Sequence, residues 1–461
     1  MARAIYWMRN DLRLTCNSLL MQAIAENHAL VCVYIHDPRQ FARTVISIPR
    51  MGWHRRRFLS QSLQQLREEL GTLQIELLEL WGEPELVLPQ LADELQIDSV
   101  YFSRECAPEE RSVEAYTCAR LDPARIKVTS AWTGFLINPE QLPFAVGETP
   151  DVFSEYRRQV EKLGLKNLVS QIVEYPNSSL KKADQHQPLQ MPAHRAVQKT
   201  LPSLFSENSW AEIFPEENDL LDGVGAASGA RDKMKVLFGG ERHGKARVED
   251  YIFTTHSIEK YFETRNGLLG LYDSTLFSAW LANGSLSPAW IFSRVKAFEQ
   301  QYGSSKNTEW VIVELLWRDF FRLMLLKYDV KFFLPQGIHG KSSTRRRDEG
   351  EIMTQLSQVL RASTSQRFIN ANMRELVQTG FMSNRGRQNV ASFMIHNLKI
   401  PWTYGAWCFE SLLIDYDPAS NWGNWAYLAG VGNDPRGSRV FNIEKQQEMY
   451  DPDGSYVAAW G

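Results

Sequence analysis

Cysteine is scarce and scattered in this 461-residue chain: five residues, at 16, 32, 106, 118 and 408. None forms a C-x-x-C pair or takes a metal-like spacing to histidine, so no metal site or disulfide framework is expected. An odd count in irregular positions reads as reduced thiols, and the expected compartment is cytoplasmic. No apolar run reaches the roughly 18 residues of a membrane span, so no membrane partner is expected. The opening MARAIYWMRNDLRL has polar and acidic positions and no apolar h-region, unlike a signal or transit peptide. Cationic excess is also missing: 51 Lys and Arg against 54 Asp and Glu give a net charge of −3. That excludes a polycationic nucleic-acid coat and leaves a local basic groove open. No G-x-G-x-x-G follows the first strand-like run, which argues against a dinucleotide bound there in the usual way.

What the chain does have is length, an ordinary 44% hydrophobic content and 14 tryptophans, about twice the usual share. The length favours two domains. Nine of the tryptophans follow residue 279. A large aromatic core explains them, as does a flat-ring ligand, a base-stacking site or an electron path.

The first 130 residues alternate strand-like runs (AIYWM, ALVCVYI, LQIELLEL, SVYFS, RIKVTSAW) with helical ones such as HRRRFLSQSLQQLREEL and EPELVLPQLADEL. Five strands with four intervening helices predict a doubly wound five-stranded parallel sheet, which binds ligands at the carboxyl ends of its strands. Residues 131–200 lose this pattern and read as an interdomain linker. From 201 to 461 the chain reads as an all-helical domain. Its clearest element is NTEWVIVELLWRDFFRLMLLKY, apolar enough that much of it is buried.

Four stretches carry polar groups in apolar settings. In TRNGLLGLYDSTLFSAWLANGSLSP, Asp273, Ser274 and Thr275 precede a helical run, where hydroxyls cap a helix or, with exposed amides, bind phosphate. In ELLWRDFF, Glu314, Trp317, Arg318 and Phe321 share one helix face, so the Glu and Arg either pair or meet a ligand. In NANMRELVQTGFMSNRGRQNVASF, Asn384, Arg385, Arg387 and Gln388 suit an anion or a nucleobase edge, or form a solvated basic turn. IDYDPASNWGNW holds Asp415 and Asp417 with Asn421 and two tryptophans. No histidine lies nearer in sequence than His396, which argues against a metal, and no nucleophile with an adjacent base is visible.

Taken in this order, with WMRNDLRL near the start and DPASNWGNWAYLAGVGNDPR and FNIEKQ near the end, these stretches resemble the photolyase/cryptochrome family, closest to its DASH cryptochrome branch. The resemblance covers nearly the whole chain. It implies an α/β domain over 1–130 carrying an antenna chromophore, usually a reduced folate such as 5,10-methenyltetrahydrofolate. It also implies an all-α domain holding U-shaped FAD beneath a DNA-binding surface. The implied activity is light-driven repair of cyclobutane pyrimidine dimers, chiefly in single-stranded DNA, by a monomer. The alternative is a blue-light photoreceptor without repair, which in this family often carries a C-terminal tail, whereas this chain stops at Gly461.

By the same resemblance, Tyr261 and Ser274, Thr275, Leu276, Phe277 and Ser278 hold the FAD phosphates and ribityl chain, and Arg318 belongs to the FAD site. Arg387 and Asp415 form a charge pair beside the isoalloxazine, Asp417 accepts from its imide N–H, and Asn421 faces N5. Glu314 and Asn384 hydrogen-bond the dimer, with Trp317, Gln388 and Tyr427 around it and Arg385 toward the DNA. Glu110 matches a folate contact. Trp425 and Trp402 match the inner two members of the family's electron relay, and Trp422 reads as packing.

The chain also departs from the family. Cys16-Asn17 stands where the family has an acidic Asp-Asn, and Ala279, Asn283 and Ala289 stand for Pro, Gly and Arg. VLRASTSQRFINANM replaces a Trp followed by a TGYP-like turn. Residues 318–401 contain no Trp, although the outer relay member belongs there.

Overall fold

The computed structural model describes residues 2–165, 233–340, 348–434 and 436–461. The expected linker therefore lies outside the described residues beyond position 165. Five strands form one parallel sheet in the order β3-β2-β1-β4-β5: β1 Arg3–Met8, β2 Ala29–His36, β3 Glu76–Trp81, β4 Ser99–Ser103 and β5 Lys127–Ala131. Helices Ser18–Glu26, Trp53–Thr72, Pro84–Glu94 and Pro108–Arg120 make the crossovers that parallel strands require. The central strands read as continuous apolar runs because both faces are covered. Ala4, Tyr6, Met8, Leu30 and Cys32 enter one core. Ile5, Trp7, Val31 and Val33 enter the core on the other side.

A third, larger core fills the helical region. It also takes in Phe135, Leu136, Ile137, Phe153, Tyr156 and Val160, from the chain just after the sheet. That segment is held where Asp319 accepts hydrogen bonds from the amides of Leu136 and Ile137. Through the core runs the helix Lys306–Tyr328, started by a reciprocal Ser305–Thr308 capping box. Beside it lies Pro418–Ala429, with Asp417 as N-cap, Pro at its start and Gly430 in the left-handed conformation at its end. Gly423 is where these two helices touch: a Cβ there would lie 2.4 Å from Phe321 Cδ1.

The sheet domain and the helical domain share a polar seam. Arg50 pairs with Glu109 on one side and Glu410 on the other. The buried His54 imidazole lies 2.9 Å from the Val377 carbonyl. Among the described residues, no helix is long and apolar enough to cross a membrane.

Candidate functional site: two cavities with a shared wall

A cavity of about 580 Å³ opens into the helical domain. One wall is the helix Lys306–Tyr328. Glu314, Trp317, Arg318 and Phe321 all face the cavity, as their i, i+3, i+4, i+7 spacing requires. The opposite wall brings Asn384, Arg387 and Gln388 from the helix Asn384–Ser392 to meet Asp415, Asp417, Asn421, Trp425 and Tyr427. Tyr261 and the five residues Ser274 to Ser278 line a further side.

Glu314 and Arg318 do not pair with each other, contrary to the simplest sequence reading. Glu314 accepts from Arg265 at 2.8 Å and from the Trp310 indole at 3.0 Å. Burial pushes its carboxyl above the ordinary range, with Arg265 and Trp310 opposing. Arg318 donates to the carbonyls of Gly134 and Leu281. Burial pulls its guanidinium down to about 10.

The 274–278 stretch also differs from its capping reading. The short helix Ser278–Ala282 has Phe277 as N-cap and no side-chain capping bond. The loop is shaped instead by Arg247, which donates to the carbonyls of Thr275, Leu271 and Ser274. It turns at Leu276, whose φ is 59°, a conformation that costs energy for a branched residue.

The two aspartates have separate surroundings. Asp417 caps its helix by accepting from the Ser420 amide at 2.8 Å and pairs with Arg322 at 2.8 Å. Burial raises its carboxyl, but Arg322, Arg318 and the Ser420 amide outweigh this and hold it at about 2. Asp415 Oδ2 accepts from Arg387 at 2.8 Å, while Asp415 Oδ1 is buried with no protein partner. Asn421 donates to the Ala406 carbonyl at 3.0 Å, and its own Oδ1 is likewise buried and unpartnered. Gln388 Oε1 is a third such acceptor. An unpaired buried acceptor costs about 1–3 kcal/mol, so three on one cavity point to a ligand that donates hydrogen bonds.

Three expected site residues lie elsewhere. Arg385 stands outside the cavity wall, donating to Asn266 and lying 4.6 Å over the Tyr450 ring. Trp402 is buried behind the wall, its indole N–H on the Pro335 carbonyl. Glu110 lines a second, smaller cavity of about 110 Å³. This one opens where strand-end residues Asn10, Tyr34 and Glu105 meet Arg50, Arg55 and Glu410, at the carboxyl ends of the strands. Burial together with Glu105 and Glu109 raises the Glu110 carboxyl to about 7. Tyr416, Asp417 and Ala282 line both cavities. Among the described residues no cluster of His, Cys, Asp and Glu could hold a metal.

Residues 4–176 match the model for DNA photolyase, and residues 310–460 match the FAD binding domain of DNA photolyase. The chain is 40% identical to the Cryptochrome DASH of Synechocystis sp. over 99% of its own length and 86% of the relative's. It is 41% identical to the Cryptochrome DASH of Gloeobacter violaceus over 99% of its length and 85% of that relative. The chain belongs to the photolyase/cryptochrome family, in the DASH branch. A solved cryptochrome of Synechocystis sp. PCC6803 superposes with a TM-score of 0.86 at 38% identity, over all of this chain and 88% of that one. A class III photolyase from Agrobacterium tumefaciens gives a TM-score of 0.78 at 25% identity, over all of this chain and 86% of that one.

The larger cavity fits the cofactor named by the family's FAD-binding domain. Unpartnered acceptors at Asp415 and Asn421 suit a flat ring bearing N–H groups. The Ser274 to Ser278 side offers hydroxyls to a diphosphate. Sequence reasoning missed Arg265, Trp310, Arg247 and Arg322. Trp310 was within reach, because it lies four residues before Glu314 on one helix. Arg265 was quoted inside its motif without a role.

Proposed function

We propose that this chain is a light-driven carbon-carbon lyase that opens cyclobutane pyrimidine dimers, preferentially in single-stranded DNA. The observation that carries the reading is the pair of buried, unpartnered acceptors, Asn421 Oδ1 and Asp415 Oδ1, on the same cavity as Glu314 and Trp317. When bound, reduced FAD supplies the photoexcited electron that cleaves the dimer and recovers it afterwards.

Each wall then has a task. Tyr261, Ser274, Thr275, Leu276, Phe277 and Ser278 hold the phosphates and ribityl chain, and Arg318 backs the FAD site. Asn421 offers its amide to N5, and Arg387 balances Asp415 beside the ring. The imide N–H has two acceptors to choose between. Both oxygens of Asp417 already accept hydrogen bonds, so the spare oxygen favours Asp415 Oδ1. Glu314, its carboxyl raised by burial, donates to a dimer carbonyl. Asn384 and Gln388 bind the dimer edge, and Trp317 and Tyr427 cover its face. Single strands suit this cavity because turning a base out of a duplex costs a few kcal/mol more. Arg385 and the exposed Arg436 meet the phosphates.

The smaller cavity is the proposed antenna site, with Glu110 facing a reduced folate, 5,10-methenyltetrahydrofolate. A monomer in the cytoplasm completes the reading, with an α/β domain over 1–130 and a helical domain over 201–461 joined by 131–200, the first part of which packs on the helical core. Five free thiols support a reducing compartment.

The test is illumination of a dimer-bearing single-stranded oligonucleotide with chemically reduced protein, reading absorbance near ~260 nm as the bases regain aromaticity. Light-dependent recovery is expected, and its absence overturns the repair reading. The relatives' name, cryptochrome, favours one alternative, a blue-light photoreceptor. That reading requires light-driven flavin changes without absorbance recovery.

A further inference from the structure

In the helices Trp402–Leu412 and Pro418–Ala429, Trp402, Trp422 and Trp407 form one connected set of rings, and Trp425 packs on the first of these helices one turn from Trp402. Trp425 lines the larger cavity and meets Phe409 edge-on at 5.0 Å. Its six-membered ring lies against Gly405, where a Cβ would come 2.2 Å from Cη2. Trp402 stands one helical turn before that glycine. Trp402 meets Trp422 at 5.7 Å and 80°, and Trp422 meets Trp407 at 4.9 Å and 87°. Trp425, Trp402 and Trp422 are each 2% exposed, whereas Trp407 is half-buried and reaches solvent.

Edge-to-face aromatic clusters are ordinary core packing. Two features set this one apart. One end lies on the cavity assigned to a redox ring and the other reaches water. It also leaves the cavity by a side that needs nothing from residues 318–401, where the family's outer tryptophan is missing.

We propose that Trp407 is the surface terminus of an electron path running Trp407, Trp422, Trp402, Trp425, through which a thiol-class reductant re-reduces the flavin in light. The inference rests on FAD occupying the larger cavity. Trp425 gives one electron to the photoexcited oxidised ring and is refilled in turn from Trp402, Trp422 and Trp407. The net loss is one electron from Trp407, whose oxidised indole then releases its N–H proton to water. A thiol restores Trp407 by giving up a hydrogen atom, and two thiyl radicals pair as a disulfide. Trp422 also donates to the Tyr416 hydroxyl at 3.3 Å, which donates to Glu410 at 2.8 Å. Tyr416 is therefore the rival terminus.

The experiment uses the flavin-loaded, oxidised protein, illuminated in dithiothreitol. Bleaching of the flavin's blue absorbance is followed in wild type, Trp407→Phe, Trp407→Tyr and Trp422→Phe. Trp407→Phe should slow bleaching at least about tenfold. Trp407→Tyr should restore part of the rate, because tyrosine can be oxidised and phenylalanine cannot. A loss caused by misfolding would strike both variants alike. In frozen illuminated wild type, ring-deuterated tryptophan should narrow the electron paramagnetic resonance signal, and Trp407→Phe should abolish that signal. Dimer opening by chemically reduced Trp407→Phe should match wild type.

Bleaching at the wild-type rate in Trp407→Phe overturns the path, as does a wild type that does not bleach. A signal narrowed by deuterated tyrosine instead assigns the terminus to Tyr416 and also overturns it. If chemically reduced wild type leaves dimers closed, the repair reading falls, and the radical signal still judges the path. A protein that binds no flavin removes both.

Discussion

Glu314 shows how one side chain can be held between structure and chemistry. It is tied to Arg265 and Trp310, yet it faces the cavity with a carboxyl raised by burial. If its protonated form donates to a dimer carbonyl, repair by pre-reduced protein should fall as pH rises through that raised value. Glu314→Gln, a permanent donor, should flatten the profile, and Glu314→Ala should lower repair about a hundredfold with FAD still bound. Loss of flavin from Glu314→Ala on purification would make the residue structural. Glu314's face was legible in the sequence because i, i+3, i+4, i+7 spacing fixes which residues share a stripe. Its partner was not, since Arg265 lies 49 positions away and only the folded helices bring the two together. Asp417 was placed at the site by its motif, but neither its N-cap role nor its pairing with Arg322, 95 positions distant, was read from the sequence.

At the scale of elements, the site depends on helices approaching closely. The helices Trp402–Leu412 and Pro418–Ala429 meet where the Trp425 ring covers Gly405. Gly405→Ala places a methyl inside that ring. Such overpacking should cost about 1–3 kcal/mol, seen as a lower midpoint in thermal unfolding, together with weaker flavin retention as Trp425 moves. An unchanged midpoint would mean that the helices part freely there. The sheet was readable because buried parallel strands are apolar on both faces. By contrast, the chain from 131 onward loses the strand–helix alternation, and although Phe153, Tyr156 and Val160 share one helix face, that spacing does not say which core the face meets. Asp319 fixes it from 183 positions away, by accepting the Leu136 amide.

The whole molecule is held by its seam, and the seam responds to pH. Burial, with Arg57 nearby, lowers the His54 imidazole to about 4 from 6.5. A buried neutral histidine binds fewer protons than its unfolded form between those values. Its contribution, about 3 kcal/mol, is therefore complete above pH 6.5 and is lost as pH falls toward 4. Urea unfolding across that window should show the loss, and His54→Gln should reduce the slope. DNA binding should respond to salt instead. With about three phosphates contacted, the log-log slope for a single strand should be near −2, measured by anisotropy. Salt-independent binding would remove the phosphate-contacting role of Arg385 and Arg436.

Tyr416, Asp417 and Ala282 face both cavities. A residue that faces two chambers shapes both. A bulkier side chain at Ala282 narrows both at once, and a change at Tyr416 is felt on either side. The two volumes are thus coupled. Widening the smaller chamber at these three residues therefore also reshapes the floor of the larger one.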